Sequence, residues 1–151
     1  MQILDEKGLS GMVKRLLDLI FLGGAAVILG LPFFVKWYAD LMHEATSFWF
    51  LLPFLYVTGL LAFLIVYEIR RIFKTLNRRN PFKMDNVNSL KRMAFASFGI
   101  AAAYVVKIIL FNSFLTIVLA MAFVIVGLFC IILAEVFHQA VTVKEENDLT
   151  V

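Results

Sequence analysis

Four long apolar runs constrain this sequence more than any other feature. They cover residues 16–38, 48–68, 93–111 and 114–136. A helix needs about 20 mostly apolar residues to cross a bilayer, because the hydrocarbon layer is about 30 Å thick and a helix rises about 1.5 Å per residue. The chain is also 62 % apolar, which exceeds the composition of soluble domains. The sequence therefore predicts an all-α, polytopic membrane protein with four transmembrane helices.

Lysine and arginine are distributed unequally between the two ends of these spans. On one side only Lys36 is found, and Lys107 lies inside the third span. The other side carries Lys7, Lys14, Arg15, Arg70, Arg71, Lys74, Arg78, Arg79, Lys83, Lys91, Arg92 and Lys144. Because cytoplasmic loops are enriched in these residues, we expect both termini and a basic linker (residues 69–92) to face the cytoplasm. The spans then form two hairpins joined by this linker.

Small residues recur at helical spacing in two of the spans. Helices in lipid associate mainly where small residues let their backbones approach closely. We expect the tightest helix packing at Gly23, Ala26 and Gly30 of the first span and at Ala96, Gly99 and Ala103 of the third. Two alternatives stay open: small residues are common in membrane helices in general, and such faces also suit an accessory subunit of a larger membrane complex. A homo-oligomer is a further candidate assembly.

Several ionisable side chains fall near the predicted inner boundary of the membrane. They are Asp18, Glu68, Glu135 and His138. One interpretation is a polar site where spans one, two and four meet, and the other is that these groups balance the basic linker. Glu135 and His138 have the i, i+3 spacing of a metal-binding pair, but the other histidine, His43, lies on the outer side. We therefore expect no metal site.

The sequence contains no recognisable catalytic constellation. It has no nucleotide-binding loop and no nucleophile motif. The one cysteine, Cys130, lies in an apolar run, and a single thiol forms neither an internal disulfide nor a cysteine-based metal site. We expect no enzyme activity and no cofactor.

The linker and the tail carry the distinctive motifs. Asn80-Pro81-Phe82 is a turn signal, and Asp85 or Asn86 is suited to cap a following helix. We expect the last helix to run a turn or two into the cytoplasmic tail, residues 137–151. The tail ends with Lys144-Glu145-Glu146-Asn147-Asp148-Leu149-Thr150-Val151.

These two motifs, each in its place among four spans, resemble a family of small bacterial membrane proteins catalogued as domain of unknown function 2975. Such families are often encoded beside a small helix-turn-helix regulator of the Cro type. The resemblance thus implies a membrane partner for a transcription regulator, and it implies no catalytic residues.

The favoured hypothesis is therefore a regulatory membrane protein with a cytoplasmic docking surface. Its candidate partner-binding residues are Asn80, Pro81, Phe82, Glu145, Glu146, Asn147, Asp148 and Leu149. The basic linker is expected to contact anionic lipids of the inner leaflet. Direct contact with nucleic acid is not expected, because the linker offers no base-reading element. Two alternatives remain: a transport, channel or immunity protein, and an accessory subunit of a larger membrane complex.

Overall fold

Four long helices make up the part of the chain that the structure describes. The computed structural model describes residues 9–42, 45–78, 80–111 and 113–150; Lys7, His43, Arg79, Asn112 and Val151 lie outside these ranges. The helices are α1 (Leu9–Met42), α2 (Ala45–Asn77), α3 (Met84–Leu110) and α4 (Phe114–Leu149). Each is long and apolar enough to cross a membrane, which indicates a multi-pass membrane protein. The predicted all-α class with four spanning helices is confirmed.

Helices α2 and α3 extend beyond their predicted spans into the basic linker. Residues 69–77 complete α2 and residues 84–92 begin α3, so that only residues 78–83 connect the two helices. Apolar residues keep the helical period here, because Ile69 and Ile72 of α2 pack against a core that includes Val87 and Leu90 of α3. Most of the linker is therefore helical, and we call the remainder the 78–83 connection.

Helix α4 also continues well past its predicted span. Residues 137–149, called the α4 extension below, form about three and a half further turns. This is longer than the turn or two expected from the sequence. The last turn contains no basic residue, although cations would be favoured at the negative end of the helix dipole. The α4 extension is therefore stabilised before its last turn, where Val141 is buried in the core shared with α3.

The helices are arranged in chain order as a row. Close backbone contacts join α1 to α2, α2 to α3 and α3 to α4, and no other pair of helices within the described ranges makes such contacts. The most extensive of these contacts lies between α3 and α4. The bundle is therefore open, with α1 and α4 at its two edges.

The main apolar core lies between α3 and α4, towards the end that carries the 78–83 connection. On α4 the buried positions Cys130, Ala134 and Val141 lie on one stripe at helical spacing. They pack with Val87, Leu90, Met93 and Ala94 of α3. Cys130 is a buried free thiol, as expected from its apolar surroundings.

Glycine positions show how closely the helices approach. A Cβ atom on Gly127 of α4 would lie 2.9 Å from the Phe98 ring of α3, and one on Gly99 of α3 would lie 3.0 Å from Leu61 of α2. Ala96, on the small-residue face predicted for α3, is fully buried. This face of α3 therefore lies within the bundle, with Gly99 directed towards α2.

The face of α1 that contacts α2 differs from the one predicted. A Cβ atom on Gly23 would meet no other atom within 4 Å, and Ala26 is exposed. A Cβ atom on Gly30 would meet only the ring of Phe34, in the same helix. Contact with α2 instead uses Gly24, which lies against Phe63, and the buried residues Leu31 and Val35. Ile28, which lies near Gly59 of α2, is on the same stripe, so the contact is made mainly by larger side chains and only at Gly24 by a small residue.

Substituting Gly127 tests the close packing of α3 on α4. Gly127→Leu should destabilise the protein by about 2 kcal/mol, because a larger side chain must displace the Phe98 ring. Gly23→Leu is the matched control and should leave stability nearly unchanged, since the space there is open. Thermal unfolding in mild detergent measures both. Equal stability of the two variants would contradict the packing described.

Candidate functional site

A layer of polar contacts lies at the end of the bundle that carries the 78–83 connection. Between α1 and α2, Arg70 donates to Asp18 with N–O distances of 2.5 and 2.8 Å. The Arg70 guanidinium also lies 4.3 Å from the centre of the Phe21 ring. A second contact between these helices joins Ser10 to Asn77. Asp18, one of the predicted inner-boundary acids, therefore pairs with a specific arginine.

Glu68 pairs with Arg92 between α2 and α3. The Arg92 guanidinium donates to both carboxylate oxygens, at 2.6 and 3.3 Å. Glu68 is only 2 % exposed, whereas Arg92 reaches the surface. Leaving a buried carboxylate without its cation would be costly. This pair therefore fixes the alignment of α2 and α3 close to the connection.

Asn86 determines the path of the 78–83 connection. Its side-chain amide donates to the Pro81 carbonyl at 2.6 Å and to the Thr75 hydroxyl at 2.8 Å. The side chain is almost completely buried. The sequence predicted Asp85 or Asn86 as the helix cap, but the N-cap position is Lys83 and no side chain caps the helix. The prediction was wrong because the helix begins at Met84, before both residues, and Asn86 instead binds Thr75 and Pro81 from the first turn.

The connection packs onto the α4 extension through two of its residues. The Phe82 ring meets the Phe137 ring edge to face, with the ring centres 5.7 Å apart. The Lys144 ammonium donates to the Asn80 side chain at 2.9 Å. The structure thus joins the Asn80-Pro81-Phe82 element to the tail, the two parts of the predicted docking surface.

Neither Phe137 nor Lys144 was among the partner-binding residues predicted from the sequence. Phe137 does continue the buried stripe formed by Cys130, Ala134 and Val141. That helical period would have indicated a packing role for it. The partner of Lys144 lies 64 residues earlier in the chain, at Asn80, and no local pattern signals such a contact.

The acidic end of the α4 extension is exposed. Glu145, Glu146, Asn147, Asp148 and Leu149 all lie on the surface. Within the described ranges none of the three acids forms an ion pair, because the only pairs there are Arg70–Asp18, Arg71–Asp85 and Arg92–Glu68. The tail acids therefore make no direct ion pair with the basic residues that the structure describes.

The four predicted inner-boundary groups do not form one site. Asp18 and Glu68 belong to different helix contacts, and Glu135 is exposed and accepts a hydrogen bond from Gln139. His138 contributes its carbonyl oxygen to Thr142. Over the ranges that the structure covers, no three His, Cys, Asp or Glu side chains cluster in a way that would hold a metal ion. These residues act as separate contacts.

The surface depressions elsewhere are apolar. One, of about 450 Å³, lies along α2, and another, of about 360 Å³, lies between α3 and α4. Outside both depressions, the Lys107 ammonium lies over the Phe54 ring, 5.2 Å from the ring centre. Neither depression has a charged lining residue. The first is lined by Phe48, Trp49, Leu52, Pro53, Tyr56 and Val57.

Substituting Asn86 tests its control of the connection. Asn86→Ala should increase the rate of tryptic cleavage at Arg78 or Lys83 by about tenfold, because the connection loses its buried hydrogen bonds. Asn88→Ala is the matched control, since Asn88 is exposed on the same helix. Mass spectrometry of timed digests gives the rates. Equal rates for both variants would show that Asn86 does not hold the connection.

Comparison with known proteins identifies the family to which this architecture belongs. Neither a curated protein nor a solved structure matches the chain. A family model described as "Protein of unknown function (DUF2975)" matches residues 34–151. The match begins late in α1 and includes all of α2, α3 and α4, together with the 78–83 connection and the α4 extension. The resemblance seen in the sequence is confirmed, and the chain belongs to this family.

Proposed function

We propose that this protein is a membrane anchor whose α4 extension and 78–83 connection form a docking surface for a small basic cytoplasmic protein. The favoured partner is a helix-turn-helix transcription regulator, as the family resemblance implies. One observation carries the proposal: a helix extends beyond the membrane span and exposes Glu145, Glu146 and Asp148 without ion-pair partners among the described residues.

Charge complementarity gives this surface its specificity. A helix-turn-helix protein has a basic surface that faces the DNA phosphates. Three carboxylates within four residues would compete with DNA for that surface, and such competition weakens as salt increases. Binding at the membrane would therefore keep the regulator away from its operator.

The contacts described above supply the preorganisation that docking requires. Phe82 packs on Phe137, and Asn80 accepts a hydrogen bond from Lys144. These contacts fix the α4 extension to the 78–83 connection, so the acidic residues lie at the end of an ordered helix. A surface that is already ordered loses less conformational entropy on binding. The exposed cations Arg71, Lys74 and Lys91 lie on α2 and α3 at the same end, where they would contact anionic lipids of the inner leaflet.

The orientation in the membrane rests on the charge bias of the sequence. Twelve of the fourteen Lys and Arg residues lie at the end that carries the connection and the tail. The positive-inside rule then places this end in the cytoplasm of a bacterial cell. Only in that orientation does the acidic surface meet a transcription regulator.

Cysteine labelling in intact cells tests this orientation. In a Cys130→Ala background, Leu149→Cys should resist a membrane-impermeant maleimide added from outside until the cells are permeabilised. Asp40→Cys, at the opposite end of the bundle, should react at once, and both positions are exposed. Labelling of Leu149→Cys in intact cells would reverse the orientation and rule out cytoplasmic docking.

Copurification tests the proposed partner. A small helix-turn-helix regulator of the Cro type, the partner that the family resemblance implies, should copurify with the full-length chain in mild detergent when the two are expressed together. The triple variant Glu145→Gln, Glu146→Gln, Asp148→Asn should reduce recovery about tenfold, because it removes the charges that attract the basic surface. Glu135→Gln, an exposed acid on the same helix, is the control. Equal recovery with the triple variant would remove the acidic end from the function.

A further inference from the structure

Lys107 places a positive charge inside an apolar span. It lies within the third apolar run, four residues before the end of that run at Phe111. A lysine so close to the end of a span can extend its side chain into the headgroup layer. Here the ammonium instead lies over the Phe54 ring, 5.2 Å from the ring centre. The backbone of Phe54 is six residues, about 9 Å, inside the second apolar run, so the charge is held against the apolar part of the bundle.

Aromatic side chains of α2 and α3 pack around the Phe54 ring. Phe50 stacks on it with the ring centres 5.8 Å apart, and Tyr104 meets it edge to face at 5.2 Å. The Phe111 ring lies 5.2 Å from that of Phe50. Tyr104 and Phe111 are three residues before and four residues after Lys107, so all three lie on one face of α3. Lys107 therefore occupies a defined place between α2 and α3.

No acid within the described ranges forms an ion pair with Lys107. The pairs found there all lie at the other end of the bundle, and they are Arg70–Asp18, Arg71–Asp85 and Arg92–Glu68. The face of an aromatic ring attracts an ammonium group, but this attraction offsets only part of the cost of a charge in hydrocarbon. Ionisable residues within spans are therefore found with a counter-ion. The described part of the chain does not supply one for Lys107.

The surroundings of Lys107 indicate where a counter-ion comes from. Val106 and Leu110, each within about a third of a turn of Lys107, are 51 % and 57 % exposed. In a membrane these apolar side chains face lipid. The end of α3 at Leu110 is only about 5 Å further along the helix axis, so a lipid phosphate near that end is within reach of the ammonium. A soluble anion would have to leave water to bind here, whereas a phospholipid carries its phosphate together with apolar chains that cover Val106 and Leu110.

We propose that Lys107 binds the phosphate of an anionic phospholipid in the leaflet opposite the 78–83 connection. Lysine binds phosphate as a point charge through its ammonium hydrogens. The headgroup of phosphatidylglycerol has no cation of its own, so its phosphate is a stronger counter-ion than that of phosphatidylcholine. This site is separate from the lipid contacts of Arg71, Lys74 and Lys91 at the other end, and it does not rest on the proposed function.

Quenching of a fluorophore by spin-labelled lipid tests this site. The full-length protein carries the fluorophore on Leu110→Cys in a Cys130→Ala background and is placed in phosphatidylcholine nanodiscs. A small fraction of the lipid is either phosphatidylglycerol or phosphatidylcholine with a nitroxide near the top of one acyl chain. At equal mole fraction the phosphatidylglycerol probe should occupy the place beside the fluorophore about threefold more often, because only its phosphate lacks a competing cation.

Variants at Lys107 locate this preference. Lys107→Met should abolish it, whereas Lys107→Arg, which keeps the charge, should retain it. A fluorophore on Val118→Cys, an exposed position at a similar distance from the same end on α4, should show no preference. Equal quenching by the two lipids at Leu110→Cys, or a preference that persists in Lys107→Met, would overturn the proposal. The comparison of Leu110→Cys with Val118→Cys keeps the native lysine, so it decides the matter even if Lys107→Met does not fold.

Inorganic phosphate distinguishes the two sources of the anion. At millimolar concentration and constant ionic strength it should leave the preference for phosphatidylglycerol unchanged, because a free anion gains nothing from the apolar surroundings. Loss of the preference would show that Lys107 takes a soluble anion and would overturn lipid binding. Either failure would leave the proposed docking untouched, since the docking surface lies at the other end of the bundle.

Discussion

The hydrogen bonds of Asn86 connect the helices to the surface that we propose for docking. This one side chain binds Thr75 in α2 and the Pro81 carbonyl in the connection, while it belongs to α3. Because Pro81 is held, its neighbours Asn80 and Phe82 are placed against Lys144 and Phe137 of α4. The position of the α4 extension thus depends on a buried amide in another helix. In a closed bundle each helix packs against two neighbours, whereas α4 at the edge of this row packs against α3 alone. A contact such as that of Asn86 therefore adds to what holds the α4 extension in place.

The acids at this end of the molecule fall into two groups. Asp18 and Glu68 pair with arginines of neighbouring helices and hold the row together. Glu145, Glu146 and Asp148 are exposed and form no ion pair within the described ranges. Among the described basic side chains at the same end, Arg70, Arg71 and Arg92 pair with other acids, and Lys144 binds Asn80. This separation of charges is the basis of the docking that we propose.

The sequence predicted best those features that depend on residues close together in the chain. The length and hydropathy of the runs, together with the helical period, were sufficient for four spanning helices. The face of α1 could not be predicted, because Gly23 and Gly24 are equally small and nothing local shows that Phe63 of α2 lies against Gly24 and not Gly23. The role of Asn86 was also hidden, since its partners Thr75 and Pro81 come together only when the connection folds. The motifs at Asn80–Phe82 and Glu145–Leu149 were found, but their proximity required the structure.

The central claim is that the α4 extension is an ordered helix before any partner binds. Amide hydrogen exchange in nanodiscs, resolved along residues 138–149, tests this most directly. The account predicts that amides through Val143 exchange at least about a hundredfold more slowly than in an unstructured peptide, since Val141 is buried and Phe137 packs on Phe82. Exchange at the rate of an unstructured chain from His138 onwards would contradict it, because no preformed docking surface would then exist.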